Sequence, residues 1–179
     1  VKRDLKVKPS EKPTLTYFGH SGYMLQIDGK NILMDPVLSE RTSPVQWAGT
    51  KSYPGTNIYK VQDLPEIDYV FLSHDHYDHM DYETIKQFAG KPTKFVVPVG
   101  VGAHLEHWGV NAAQITELDG WENTNAVAGA KVTATPARHF SGRSLARGKS
   151  LWASYVFETP GYKIFLGGDS GYESHFKKI

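Results

Sequence analysis

Three imidazoles and two carboxylates fall within seven residues at Ser73-His74-Asp75-His76-Tyr77-Asp78-His79. Neutral imidazole and carboxylate oxygen are the ligands that borderline divalent ions such as zinc prefer, so this run is equipped for metal chemistry. A lone His-x-His is common on surfaces and strands. Four donors in the order His74-x-His76-x-Asp78-His79, directly after the apolar run Tyr69-Val70-Phe71-Leu72, are a far more specific signal. The chain has no cysteine, which excludes disulfides and thiolate ligands here and leaves His, Asp and Glu to bind metal.

The flanking elements must hold such a loop at both ends. A strand over 69–72 fixes its first residue, and a helix over 82–88, with Asp81 as N-cap, fixes its last. Upstream, strands over 15–18, 23–27 and 31–36 form a β-meander, with Asp28-Gly29 as the hairpin turn between the last two. Residues 37–64, rich in Pro, Gly, Ser and Thr, are too long for a plain connection and are expected to face the substrate. Downstream, a strand over 95–99 precedes a helix over 101–108. A strand over 132–139 and another over 152–158 follow, the latter turning at Thr159-Pro160-Gly161 into a buried strand that leads to Asp169.

The spacing His74-x-His76-x-Asp78-His79 resembles the signature of the metallo-β-lactamase superfamily, whose members hold two metal ions at the edge of an αββα sandwich. The resemblance implies that His74 and His76 serve one metal and that Asp78 and His79 serve the other. It also implies a third His for the first metal at the end of a later strand and a bridging Asp after a Gly-rich turn, and His139 and Asp169 stand at those places. Taken alone, His139 would be an ordinary strand-end histidine and Asp169 a turn residue. The family takes one more His for the second metal from well beyond the bridging Asp, and the sequence ends at Ile179. His175 lies too close to Asp169 and is expected on the solvated face of a short helix. The expected fold is therefore α/β, an αββα sandwich of the metallo-β-lactamase type, with 1–179 as one such domain carrying the N-terminal portion of the complete fold.

Several further segments narrow the resemblance: Val97-Pro98-Val99-Gly100-Val101-Gly102, Glu117-Leu118-Asp119-Gly120-Trp121-Glu122, Thr135-Pro136-Ala137-Arg138-His139 and Gly168-Asp169-Ser170-Gly171-Tyr172. They are similar to the branch containing N-acylphosphatidylethanolamine-hydrolysing phospholipase D and its bacterial relatives. What this implies is a hydrolase using a hydroxide held between two zinc ions, with manganese and iron also suited to the donors. Asp78 would orient the nucleophile and Asp169 would bridge, making these the catalytic residues. The expected substrate is a lipid or small-molecule phosphodiester. A lactonase or amide hydrolase is the alternative on the same fold, and a metal-binding but inactive piece, needing the C-terminal remainder of the fold, is the other.

Other residues carry smaller expectations. His20, in Gly19-His20-Ser21-Gly22, is read equally as a donor supporting the site and as a satisfied turn histidine. Asp35 braces the ligand loop by hydrogen bonds. Ser73, Ser141 and Ser170 support or turn the chain and do not attack. His104 and His107 are surface or packing residues. Arg138, Arg143 and Arg147 are solvated by default, with one a candidate for a substrate anion. The four tryptophans are expected in the core, Trp47 being the exception worth testing.

Composition sets outer limits. At 179 residues, with 40% hydrophobic residues and a formal net charge of +1, the chain can bury a core and lacks the basic excess of a nucleic-acid groove. No apolar run reaches the ~18 residues of a membrane-spanning helix. The opening residues are basic without an apolar stretch, so the expectation is a cytoplasmic protein, with a leader removed upstream as the alternative. The cluster Lys2, Arg3, Lys6 and Lys8 is read first as a solvated terminus and second as a peripheral contact for anionic lipid heads. Oligomeric state is not legible.

Overall fold

The computed structural model describes residues 2–7, 12–127, 129–143 and 147–179, so Lys8 of the basic N-terminal cluster lies outside the described residues. Three strands form the expected meander: β1 (Thr14–Gly19), β2 (Gly22–Ile27) and β3 (Lys30–Met34). Asp28 and Gly29 both adopt positive φ, 49° and 74°. That geometry is the tight hairpin turn whose twist matches the flanking strands. The segment after β3 is not a plain loop. It folds a small hairpin of β4 (Arg41–Thr42) and β5 (Thr50–Lys51) and a 3₁₀ turn at Val61–Asp63.

Next come β6 (Tyr69–Phe71), α1 (Tyr82–Ile85), β7 (Lys94–Pro98), α2 (Gly102–His107) and β8 (Ile115–Leu118). β3, β6, β7 and β8 pair in parallel, giving a six-stranded sheet in the order β1-β2-β3-β6-β7-β8. A second, four-stranded antiparallel sheet contains β9 (Asn123–Thr124), β10 (Lys131–Thr135), β11 (Ser154–Glu158) and β12 (Lys163–Leu166) in the order β12-β11-β10-β9.

The two-residue side-chain period of a strand divides the central strands between two cores. Leu33, Val70 and Val97 face a core shared with Ile85 of α1 and Leu105 of α2. Ile32, Met34, Phe71 and Val96 face a core shared with Val132, Tyr155, Phe157 and Leu166 of the second sheet. Burying each such side chain contributes about 1.5–3 kcal/mol. Both faces of β6 are covered, which is why its sequence is continuously apolar. The arrangement is the expected mixed α/β sandwich in partial form: the helical residues in these cores belong to the outer face of the six-stranded sheet.

Several sequence expectations shift in detail. The helix over 82–88 is one α-turn, capped by the Asp81 carboxylate on the Glu83 N–H, and then passes into a 3₁₀ turn at Lys86–Phe88. The strand bearing His139 ends at Thr135, because Pro136 removes the next ladder donor. β12 is an edge strand with Phe165 exposed, not a fully buried one. The C-terminal helix is a 3₁₀ turn at Ser174–Lys178, and His175 rests against Ser170 instead of facing solvent. Trp47 and Trp121 are exposed, so they are not core. No described helix is long and apolar enough to cross a membrane.

Candidate metal centre

The site gathers at one edge of the sandwich, where parallel strands β3 and β6 end together. Asp35 follows β3, Ser73 to His79 follow β6, His139 follows β10 and Asp169 follows β12. The turn between β1 and β2 brings His20 to the same edge.

The buried Asp35 organises this edge. One of its oxygens accepts the Ser73 N–H at 2.7 Å, and the other accepts the Ser73 hydroxyl at 2.6 Å and His79 Nδ1–H at 2.8 Å. Because the Ser73 hydroxyl proton goes to Asp35, its oxygen accepts from His74 Nδ1, 2.8 Å away. These bonds fix both tautomers: His74 and His79 carry their protons on Nδ1 and turn Nε2 toward the site. The expected bracing role of Asp35 is thus present, and Ser73 is its relay.

Two donor sets result. His74 Nε2 lies 2.9 Å from His76 Nδ1, which lies 3.2 Å from His139 Nε2. His79 Nε2 lies 3.3 Å from Asp169 Oδ2 and 4.0 Å from Asp78 Oδ2. The ligating atoms of His74, His76 and His139 all fall within 4.8 Å of one another, as do those of His74, His79 and Asp169. Atoms that share an ion at bond lengths of about 2.0–2.2 Å stand about 3–4 Å apart, so the spacing suits a cation. His79 Nε2 is fully buried and faces carboxylate oxygens of Asp169 and Asp78, the donors with which it would share an ion. All six residues predicted from the motif come together: His74, His76, Asp78, His79, His139 and Asp169.

The electrostatics follow from crowding. Burial, reinforced by the neighbouring His79, His76 and His139, pushes His74 down to about 2 and keeps it neutral. Burial works against charge on His79 as well, but contacts with Asp169 and Asp35 outweigh it and lift that imidazole to about 10. Contact with His79 holds the Asp169 carboxyl well below the usual carboxylate range. His139 is lowered, mainly by burial. Without an ion, the protonated His79 ring therefore stands between two carboxylates, Nδ1–H on Asp35 and Nε2–H toward Asp169.

Two residues essential to this geometry escaped the sequence reading. Arg143 is not a solvated loop charge: its guanidinium donates to the carbonyls of Asp75 at 3.0 Å and Met80 at 2.6 Å. It also stacks over Tyr77 and Trp108, 4.2 and 4.8 Å from the ring centroids. Arg143 thereby ties the two ends of the ligand loop, while Asp75 accepts the Gly142 N–H. Gly168 lies so near Ser73 that a Cβ there would stand 2.2 Å from Ser73 Cβ. The Gly167-Gly168 doublet was the signal for this close approach. Ser141 and Ser170 are structural as expected, donating to the Ser150 and Gly171 carbonyls. His104 lies beside Trp108 on α2, away from both donor sets.

A family model described as a β-lactamase superfamily domain matches residues 30–178. An uncharacterized protein of Mycobacterium tuberculosis is 44% identical over 166 residues, covering 92% of this chain and 44% of that protein. The N-acyl-phosphatidylethanolamine-hydrolyzing phospholipase D 1 of Caenorhabditis elegans is 30% identical over 174 residues, covering 92% of this chain and 49% of the relative. The chain thus spans about half the length of these curated relatives. Among solved structures, CmlA, a diiron β-hydroxylase from Streptomyces venezuelae, superposes with a TM-score of 0.64 at 25% identity, over 88% of this chain and 30% of that one.

Proposed function

The chain belongs to the β-lactamase superfamily, and from that premise we propose that it carries the dinuclear zinc centre of a hydrolase acting on phosphodiesters, in the manner of a phospholipase D. One observation carries the reading: Asp169 Oδ2 lies 3.3 Å from His79 Nε2 and 3.9 Å from His139 Nε2, so a single carboxylate borders both donor sets. His74, His76 and His139 would hold one ion and Asp78 and His79 the other, with the Asp169 carboxylate beside both sets. A pair of divalent ions, when bound, supplies a nucleophile from water near neutral pH and neutralises charge on the attacked phosphoryl group.

The chain's own residues do the rest. Asp35 and Ser73 hold the His74 and His79 rings with Nε2 forward. Asp78 and Asp169 would offset the positive charge of bound ions and orient the attacking group. Arg143 keeps the loop from opening. Phe140, half-exposed and packed against the His76 and His139 rings, gives the site an apolar wall. Ser73 is not free to attack, since it is committed to Asp35 and His74.

The phosphodiester assignment leans on the likeness to the Caenorhabditis elegans protein, named for hydrolysing N-acyl-phosphatidylethanolamine. Iron is the second reading for the metal, favoured by the diiron CmlA, because His and carboxylate donors accept either ion. The test is a panel of phosphodiester, lactone and amide substrates offered to the zinc- and iron-loaded 179-residue chain and to its longest natural form. Phosphodiester turnover supports the proposal. Activity confined to lactones overturns the substrate, and turnover by the 179-residue chain itself rules out an inactive piece.

A further inference from the structure

Three arginines flank His139, and the fold leaves one of them uncommitted. Arg143 donates to the Asp75 and Met80 carbonyls, and Arg138 pairs with Glu173 at 3.4 Å. Arg147 is exposed, and among the described residues it has no carboxylate partner. We infer that Arg147 is a specificity residue of the metal edge, holding a second anionic group of the substrate apart from the phosphodiester that reacts. The inference rests on the phosphodiester reading above and narrows its substrate class to a phosphodiester that carries a carboxylate or phosphate several bonds away.

The side chain is placed at both ends. Its stem crosses Gly142, where a Cβ would stand 3.2 Å from Arg147 Cγ, so the bare residue at 142 makes room for it. Its guanidinium lies over the Phe140 ring, 5.2 Å from the centroid, a cation–π contact that holds the charge without neutralising it. The backbone beneath is pinned as well. Gly142 and Arg147 form an antiparallel bridge, and the Gly148 N–H donates to the Ser141 carbonyl at 3.1 Å. The Gly142 N–H donates to Asp75 Oδ1 at 2.7 Å, which ties this turn to the ligand loop. An arginine fixed in this way has already lost much of the freedom that binding an anion would cost, whereas a merely solubilising charge requires no such hold.

Phe140 sets where the anion must be. The same ring packs against the imidazoles of His76 and His139, with centroids 4.6 and 4.8 Å away. Arg147 therefore stands beside the first donor set without belonging to it: among the described residues, no hydrogen bond or ion pair joins it to a candidate ligand. A phosphoryl group at the metals would direct its oxygens to the ions. The group that Arg147 takes is then a neighbour in the same substrate, bound by the planar fork that accepts a carboxylate or phosphate in two parallel hydrogen bonds. Phe140, half-exposed, gives the intervening atoms an apolar bed.

The test is calorimetric binding to the zinc-loaded 179-residue chain and to its longest natural form, at low ionic strength. The probes are diphenyl phosphate, phenyl 4-carboxyphenyl phosphate and phenyl 4-phosphonophenyl phosphate, the last two carrying an added anion one ring away from the diester. Metal content and circular dichroism check the loading and fold of each variant. Wild type should bind at least one charged probe about tenfold more tightly than diphenyl phosphate, the scale of one charge-assisted hydrogen bond. The tighter of the two tells carboxylate from phosphate. Arg147→Gln should bring the ratio to about one, and Arg147→Lys, a point charge without the fork, should keep part of it. Arg138→Gln should keep it in full. Equal affinity for all three probes in wild type overturns the inference and leaves the phosphodiester reading in place. So does a preference that survives Arg147→Gln, or one that Arg138→Gln removes to the same extent, which would make it a field effect of the whole edge. Failure of wild type to take up zinc, or to bind any of the three probes, overturns the phosphodiester reading and the inference with it.

Discussion

The Oδ2 of Asp35 accepts the Nδ1 proton of His79 at 2.8 Å, with both side chains closed to solvent. This contact lies one step behind the donor atoms, yet it decides which nitrogen of His79 faces the site. Asp35 itself adopts φ 43°, a conformation that asparagine also tolerates, so the carboxylate can be neutralised without disturbing the backbone.

Asp35→Asn should therefore fold, with a lower melting temperature, and should bind zinc about 10–100-fold more weakly. Its amide offers one acceptor oxygen where Ser73 and His79 present three donors. Calorimetric titration with zinc and thermal melts of the metal-free chain check both effects, and unchanged zinc affinity would remove Asp35 from the site's support.

Gly168→Ala places a methyl group 2.2 Å from Ser73 Cβ. Neither backbone can yield easily, so the turn carrying Asp169 should move away from His79. The expected result is loss of the second ion and a stability cost of about 1–3 kcal/mol from overpacking, read by denaturant melts and metal content.

Arg143→Lys keeps the charge but cannot donate to the Asp75 and Met80 carbonyls in the planar fork that arginine uses. The metal-free chain should lose about 1.5–3 kcal/mol, the scale of a hydrogen bond to a charged group. Faster metal release should follow from the slackened loop, and chelator-chase kinetics measure it.

pH should act with opposite signs on the two buried imidazoles. His74, held down to about 2 mainly by burial, stays neutral in the fold while an unfolded imidazole gains a proton below about 6.5. Its contribution is thus present above about 6.5 and is lost as pH falls toward 2, with the lowered Asp169 adding to the loss below its ordinary range. His79, raised to about 10, contributes fully below about 6.5 and loses that contribution as pH rises through 10. Metal-free stability should peak near neutrality. The ion at His79 must displace its proton, so the stabilisation by a fixed zinc concentration should grow with pH up to about 10, with about one proton released near pH 7 on binding of that ion. Melting curves across pH and calorimetry in buffers of different ionisation enthalpy would show both; zinc binding without proton release at pH 7 would contradict the His79 assignment.

Chemistry was legible in the sequence wherever neighbouring residues along the chain are also neighbours in space. His74 to His79 lie in one loop after an apolar strand, so the candidate donors, their order and the strand before them could be read directly. The Asp28-Gly29 hairpin was legible for the same reason, because turn geometry is local. The buried reading of β12 failed because exposure depends on which strand lies at the edge of a sheet, and composition does not record it. Arg143 was misread as solvated because its partners, the Asp75 and Met80 carbonyls, are backbone atoms more than sixty residues away.

The sequence by itself determined which residues could donate, the absence of thiolate, and the strand-loop-helix frame that holds the first four candidates. Tertiary structure alone decided which nitrogens point inward, through Asp35 and Ser73, and that His20 from the first hairpin meets Asp78 at 3.0 Å. Residue type and local spacing fix which atoms can donate to a metal. Their convergence within a few ångströms depends on contacts between segments far apart in the chain, made only when the two sheets close over a common core.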